Sequence, residues 1–245
     1  MERNVLVTGG SRGLGLAIAG RLVAAGYRVV AVARKETSAL TAAMDAAERE
    51  RPGSLHFVPF DLGEIADLSQ LVKRVRNDVG PLWGLVNNAA AGFDGALALM
   101  DTGRIEQLVR LNTLAPIVLT KYVVRAMLAD GGGRIVNVAS IIGTTGYAGL
   151  SVYAATKASM LGFTRSLARE VGRMGVNVNA VAPGFLETDM TQGMDDEKRK
   201  QVAHRSALKR LPHVDDVADA VEFLLGDRAR SITGTVLTVD AGTTA

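Results

Sequence analysis

The 245-residue chain has no cysteine. That absence alone excludes disulfides, thiolate-bound metals and cysteine nucleophiles. Histidine is scarce as well: only His56, His204 and His213 occur, and no two share the spacing of a metal-binding motif. No metal is therefore expected. The chain also lacks a polybasic tail. Its 28 basic residues are scattered among 25 acidic ones for a formal net charge of +3, which argues against nucleic acid as a partner. No Pro/Ser-rich tract, charge block or solenoid-length repeat divides the chain. The longest uncharged run, 135–156, carries asparagine, serines, threonines, tyrosines and glycines, so no membrane span is expected there. A core strand is expected from about residue 4, leaving no room for a signal peptide, and a soluble cytoplasmic protein is the expectation.

What is present is a hydrophobic fraction of 48% with 22% charged residues, a balance that suits a globular protein with a substantial core. Strand-like runs are expected at 4–8, 28–33, 54–60, 82–87, 134–139, 176–181 and 235–239. Helical patterns lie between them at 13–25, 38–49, 64–79, 102–129 with a break near Pro116, 151–174 and 214–225. The alternation predicts one domain over 1–245, an α/β doubly wound parallel sheet with helices on both faces. Ligands bind beyond the carboxyl ends of such strands. Thr8, Asp61, Asn87 and Ser140 each fall at or just after a strand end.

The first strand–helix turn reads Thr8-Gly9-Gly10-Ser11-Arg12-Gly13-Leu14-Gly15. Its glycines let the backbone turn tightly and approach a pyrophosphate, and the helix N-terminus offers unpaired N–H groups and a positive dipole end. The sheet is thus expected to be of the Rossmann, dinucleotide-binding type. An acid at the end of strand two would bind a ribose 2′-hydroxyl, but Ala33-Arg34-Lys35 stands there, with Glu36 further on. Arg34 and Arg12 are placed to grip a 2′-phosphate, so NADP is favoured over NAD. Glu36 reaching the ribose is the competing outcome. Asp61-Leu62 follows strand three and could meet adenine edges. Asp61 could equally cap the next helix, since Glu64 stands three residues on as in a capping box.

Tyr153 and Lys157 are four residues apart, so a helix stacks them on one face. A nearby ammonium favours the phenolate and lowers a tyrosine pKa toward a useful range. A serine hydroxyl from Ser140 brought to the same place could hydrogen-bond the same substrate oxygen. These groups would serve the oxygen end of a carbonyl–alcohol interconversion; the hydride needs a cofactor.

Together these pieces resemble the short-chain dehydrogenase/reductase family over essentially the full chain. The matching residues are Thr8-Gly9-(x)3-Gly13-x-Gly15, Asp61-Leu62, Asn87-Asn88-Ala89, Asn112, Ser140, Tyr153-(x)3-Lys157 and Pro183-Gly184. The resemblance implies a catalytic set of Asn112, Ser140, Tyr153 and Lys157. Tyr153 would be the general acid in reduction and Ser140 would polarise the carbonyl. Lys157 would lower the tyrosine pKa and hold the nicotinamide ribose, and Asn112 would anchor a water that relays protons to it. It implies NADP(H) contacts at Thr8, Gly9, Ser11, Arg12, Gly13, Leu14 and Gly15, and from Arg34, Asp61, Leu62, Asn88, Ala89, Tyr153 and Lys157. Pro183, Gly184 and Thr188 would flank the nicotinamide.

Within the family, the stretches 166–171, 177–190 and 232–242 look most like 3-oxoacyl-(acyl-carrier-protein) reductases. The implied reaction is reduction of a 3-oxoacyl thioester of acyl carrier protein or CoA, and the implied assembly is a homotetramer. Other small ketones, sugars or alcohols remain the alternative substrates; a nucleotide-sensing protein without catalysis ranks below them. The chain departs from carrier-protein reductases at Ala90, in the loop Ala129–Gly133, which lacks basic residues, and at Met174. Arg165, Arg169 and Arg173, with Lys121 and Arg125, form basic stripes that read either as a solvated face or as a dock for an acidic carrier. Residues 185–211 match no core element. They read as a lid or as an exposed connection, and Phe93, Met190 and Met194 point to an apolar substrate.

Overall fold

The computed structural model describes residues 3–186 and 196–245. Seven strands form one all-parallel sheet: β1 (Asn4–Thr8), β2 (Arg28–Ala33), β3 (Leu55–Pro59), β4 (Leu82–Asn87), β5 (Gly133–Val138), β6 (Val176–Pro183) and β7 (Val236–Val239). Their order across the sheet is β3-β2-β1-β4-β5-β6-β7. The connections run outward from β1 in one direction and then reverse, so the carboxyl ends of β1 and β4 flank the switch point where doubly wound sheets bind ligands.

Alternate residues of each strand face opposite layers. Val5 and Val7 of β1 join a core with the helices α1 (Gly13–Ala24), α2 (Ser38–Glu50) and α8 (Val214–Leu225). Leu6 faces the other layer, built from α3 (Leu68–Val79), α5 (Ala115–Asp130) and α6 (Ser151–Val171). Both layers bury the sheet, which explains the near-continuous apolar strands. The chain from Thr102 to Asp130 is long and apolar enough to cross a membrane by composition alone. Leu108, Ala115, Leu119, Val123 and Met127 within it are instead buried.

Three expectations change. The break near Pro116 is a five-residue π-helical turn, Arg110–Leu114, lying between α4 (Thr102–Val109) and α5; Pro116 itself sits in the first turn of α5. Pro116 lies within one continuous helical stretch, Thr102–Asp130, and the widened turn stands directly before the position where its N–H is missing. The helix expected from Glu64 starts as a 3-10 turn at Ile65 and becomes α3 at Leu68. The stretch after β6 holds a helix, α7 (Asp196–Arg205), where no element was expected.

Candidate active site

The switch point is tied together by Thr8 and Asn88. The buried Thr8 hydroxyl donates to the Val86 carbonyl (3.2 Å) and accepts from the Asn88 and Ala89 N–H groups (2.9 and 3.1 Å). The Asn88 side chain donates to the Thr8 carbonyl at 2.9 Å. Gly9 has φ +67°, and a Cβ at Gly15 would stand 2.1 Å from the Gly9 carbonyl oxygen. Only glycine lets α1 come this close to the strand end. No side chain caps the N-terminus of α1, and its first turn contains no acid. The backbone donors and dipole there are suited to an anion. Ser11 is buried, its carbonyl held by the Thr37 hydroxyl, while Arg12 and Gly13 are exposed beside the turn and Leu14 is half-buried.

Arg34 is exposed directly after β2. Glu36 is drawn toward α2, its carboxylate accepting from the Thr41 hydroxyl at 2.7 Å. Asp61 forms no capping box: its carboxylate accepts from the Gly63 N–H at 2.8 Å, and helix α3 begins seven residues later. Leu62 is buried in the core layer of α3 and α5.

Ser140 follows β5 and opens a short 3-10 turn, its hydroxyl accepting from the Ile142 N–H at 3.2 Å. That turn lies tight on α6, because a Cβ at Gly143 would come within 3.0 Å of the Lys157 backbone. Tyr153 and Lys157 project from the first two turns of α6. Lys157 is buried and donates to the Val138 carbonyl at the end of β5 (2.9 Å). Its Nζ lies 5.7 Å from the Tyr153 ring centroid.

Burial governs both ionisations. It pushes Tyr153 up to about 12, with the Ser140 hydroxyl pulling the other way. It pushes Lys157 down to about 8. The expected lowering of the tyrosine pKa by the lysine is therefore reversed: desolvation dominates, and the lysine amine is engaged by the Val138 carbonyl.

Asn112 lies buried in the π-helical turn. Its side-chain oxygen accepts from the Ala91 N–H (2.9 Å), and its amide donates to the Ala91 carbonyl (2.8 Å) and the Thr156 hydroxyl (3.2 Å). The side chain is thus spent on fastening the loop after β4 to α6. Pro183 ends β6 against Val239 of β7, and a Cβ at Gly184 would come within 2.9 Å of Asp240. Thr188, Met190 and Met194 lie outside the described residues.

The structure therefore brings Ser140, Tyr153 and Lys157 together, with Asn112 behind them through Thr156, and gathers Thr8, Gly9, Gly15, Asn88 and Ala89 at the switch point. Sequence reasoning missed Gly143, Thr156 and Ala91. Gly143 was visible as a glycine three residues after Ser140; the other two act through contacts that no local motif announces. The family resemblance also implies that Asn87 supports the sheet centre, but its partners in a buried polar chain under the site were missed. The Asn87 amide donates to Thr120 (2.9 Å) and to the Asn137 oxygen (2.8 Å), and the Asn137 amide donates to Thr164 (2.9 Å).

The short chain dehydrogenase family model matches residues 3–199. The 3-oxoacyl-(acyl-carrier-protein) reductase of Salmonella typhimurium is 38% identical over 237 residues, covering 97% of this chain and 95% of the relative. The acetoacetyl-CoA reductase of Allochromatium vinosum is 34% identical over 242 residues, covering 99% and 98%. Among solved structures, a gluconate 5-dehydrogenase from Burkholderia cenocepacia J2315 in complex with NADP and tartrate superposes with a TM-score of 0.93 at 29% identity, covering 100% of this chain and 96% of that one. This chain belongs to the short-chain dehydrogenase family and is an oxidoreductase acting on CH–OH groups.

Proposed function

We propose that this short-chain dehydrogenase is an NADPH-dependent carbonyl reductase whose substrate is a 3-oxoacyl thioester. The observation that carries the reaction class is the meeting of Ser140, Tyr153 and the buried Lys157 at the carboxyl end of β5. The similarity to a 3-oxoacyl-(acyl-carrier-protein) reductase and to an acetoacetyl-CoA reductase supports the thioester.

The uncapped first turn of α1, with Gly9, Ser11, Arg12, Gly13, Leu14 and Gly15, would hold the cofactor pyrophosphate. Thr8, Asn88 and Ala89 would support that turn, and Asp61 and Leu62 would border the adenine. Pro183, Gly184 and Thr188 would border the nicotinamide. Arg34 and Arg12 favour a 2′-phosphate, and the bond from Thr41 keeps Glu36 from competing for the ribose. When bound, the nicotinamide supplies the hydride.

At the other end of the carbonyl, Tyr153 keeps its proton at neutral pH, since burial holds its pKa near 12. Burial makes it a weaker acid than a free tyrosine, but the alkoxide forming on the ketone oxygen is a far stronger base and takes that proton. The Ser140 hydroxyl gives the same oxygen a second hydrogen bond. Lys157, with a pKa of about 8, stands behind the tyrosine as a proton store and offsets the charge left on it. The Asn112 carbonyl would position a water that refills this store.

For the assembly, a homotetramer would cover the exposed apolar Val109 and Leu114 of the α4–α5 region. Lys121, Arg125, Arg165, Arg169 and Arg173 are exposed, which suits a solvated face or the docking of an anionic acyl carrier, protein or CoA. The reading is tested by steady-state kinetics with NADPH and NADH on acetoacetyl thioesters and on free ketones and keto sugar acids. Reduction confined to free ketones or keto sugar acids would overturn it.

A further inference from the structure

Three loops leave the carboxyl ends of β4, β5 and β6 beside the candidate catalytic residues, and they are joined. The Gly95 N–H donates to the Gly149 carbonyl at 3.0 Å, tying the loop after β4 to the one after β5. Tyr147, between Ser140 and Tyr153 in the chain, packs edge-on against Phe185, with ring centroids 5.8 Å apart and planes 61° apart. Phe185 directly follows Pro183-Gly184. Tyr147 is 49% exposed, and Leu97 and Leu99, in the short 3-10 turn that follows Gly95 in the chain, are 56% and 88% exposed.

We infer that Tyr147 and Phe185 select for acyl-chain length, their edge-to-face pair forming the wall against which an unbranched apolar acyl tail lies. The inference rests on the thioester reading above and adds to it which part of the substrate these loops take. A 3-oxoacyl thioester has a polar amide-bearing arm on one side of its ketone and a hydrocarbon tail on the other. The ring pair offers the tail apolar surface and, besides the tyrosine hydroxyl, nothing for amide groups to bond. The pair bridges the segments that carry Ser140, Tyr153 and Gly184, so a tail lying on it extends from a ketone seated at those residues.

The test uses N-acetylcysteamine thioesters of 3-oxobutanoate and 3-oxooctanoate with NADPH, and reads the ratio of their kcat/KM values. In the wild-type chain the longer substrate should be favoured by about tenfold or more, since each buried methylene adds a few-fold. Tyr147→Ala and Phe185→Ala should each cut that ratio by about fivefold, through KM of the longer substrate. Tyr147→Phe should restore it, because the ring and not the hydroxyl makes the wall. A ratio unmoved in both alanine variants, or lost in Tyr147→Phe, overturns the inference while leaving the thioester reading intact. Failure of the wild-type chain to reduce either thioester overturns the thioester reading, and this inference with it.

Discussion

Pro116 lies four residues after Asn112, so the N–H that would close an α-helical turn onto the Asn112 carbonyl does not exist. The π-helical turn at Arg110–Leu114 forms just before that gap, and the Asn112 side chain is fully engaged by Ala91 and Thr156. The proline thus denies the Asn112 carbonyl its ordinary α-helical donor. Pro116→Ala supplies the missing donor and should let the turn anneal toward regular α-helix. The expected result is a fall in kcat of about tenfold, with melting temperature little changed. Kinetics and thermal unfolding of the variant check both.

Tyr153→Phe removes the proton donor and keeps the ring. Reduction should slow by a factor of about a hundred or more, while NADPH binding, followed by fluorescence titration, should stay close to wild type. Little change in rate would show that the tyrosine is not the acid.

The buried Lys157 makes stability depend on pH with a definite sign. Its folded pKa is about 8 against an ordinary 10.5, so between those values the unfolded chain binds more protons and stability rises with pH. Below pH 8 the full cost of the buried charge is present, on the order of 3 kcal/mol. Tyr153 acts only above pH 10, where its raised pKa makes stability fall. Lys157→Met should therefore be inactive yet more stable than the parent at pH 7, with the gap narrowing by pH 10. Urea denaturation at the two pH values measures the difference.

Arg34→Ala should weaken NADPH by about tenfold or more, the scale of one charge-assisted phosphate contact, and NADH hardly at all. Dissociation constants for both cofactors decide it; equal weakening would return the ribose to Glu36.

Gly15→Ala places a methyl 2.1 Å from the Gly9 carbonyl oxygen, a backbone atom that cannot swing aside. The variant should lose about 2 kcal/mol of stability and bind the cofactor poorly. Chemical denaturation and cofactor titration test the two effects separately.

Most of this architecture was legible in the chain itself. Buried parallel strands are short apolar runs, so β1, β2 and β4 have the expected bounds, and the other four deviate by one or two residues. The Gly9–Gly15 turn and the Tyr153–Lys157 pair were readable because each is a local spacing with a geometric consequence. Where reading failed, the cause was either a competing local bond or a property of the whole fold. Asp61 matched a capping box, yet its carboxylate is taken by the Gly63 N–H two residues on. Pro116 was seen as a break, but the break lies upstream, at the residues whose carbonyls lose a donor. The tyrosine pKa was argued from one charged neighbour, and burial, a property of the whole fold, outweighed it. The roles of Thr156 and Ala91 depend on contacts 44 and 21 residues from Asn112.

Asn87 and Asn137 face each other as register partners on β4 and β5, each also bound to a threonine on a covering helix. A purely hydrocarbon interior would tolerate these two strands sliding by a two-residue step, since the same faces would stay buried. Here such a slide would strand amides and hydroxyls without partners, at about 1–3 kcal/mol for each. The two asparagines thus act as a built-in alignment check. A chain whose central strands have mispaired is penalised during folding, before Ser140 and Asn88, one strand end away on either side, are set in the wrong place.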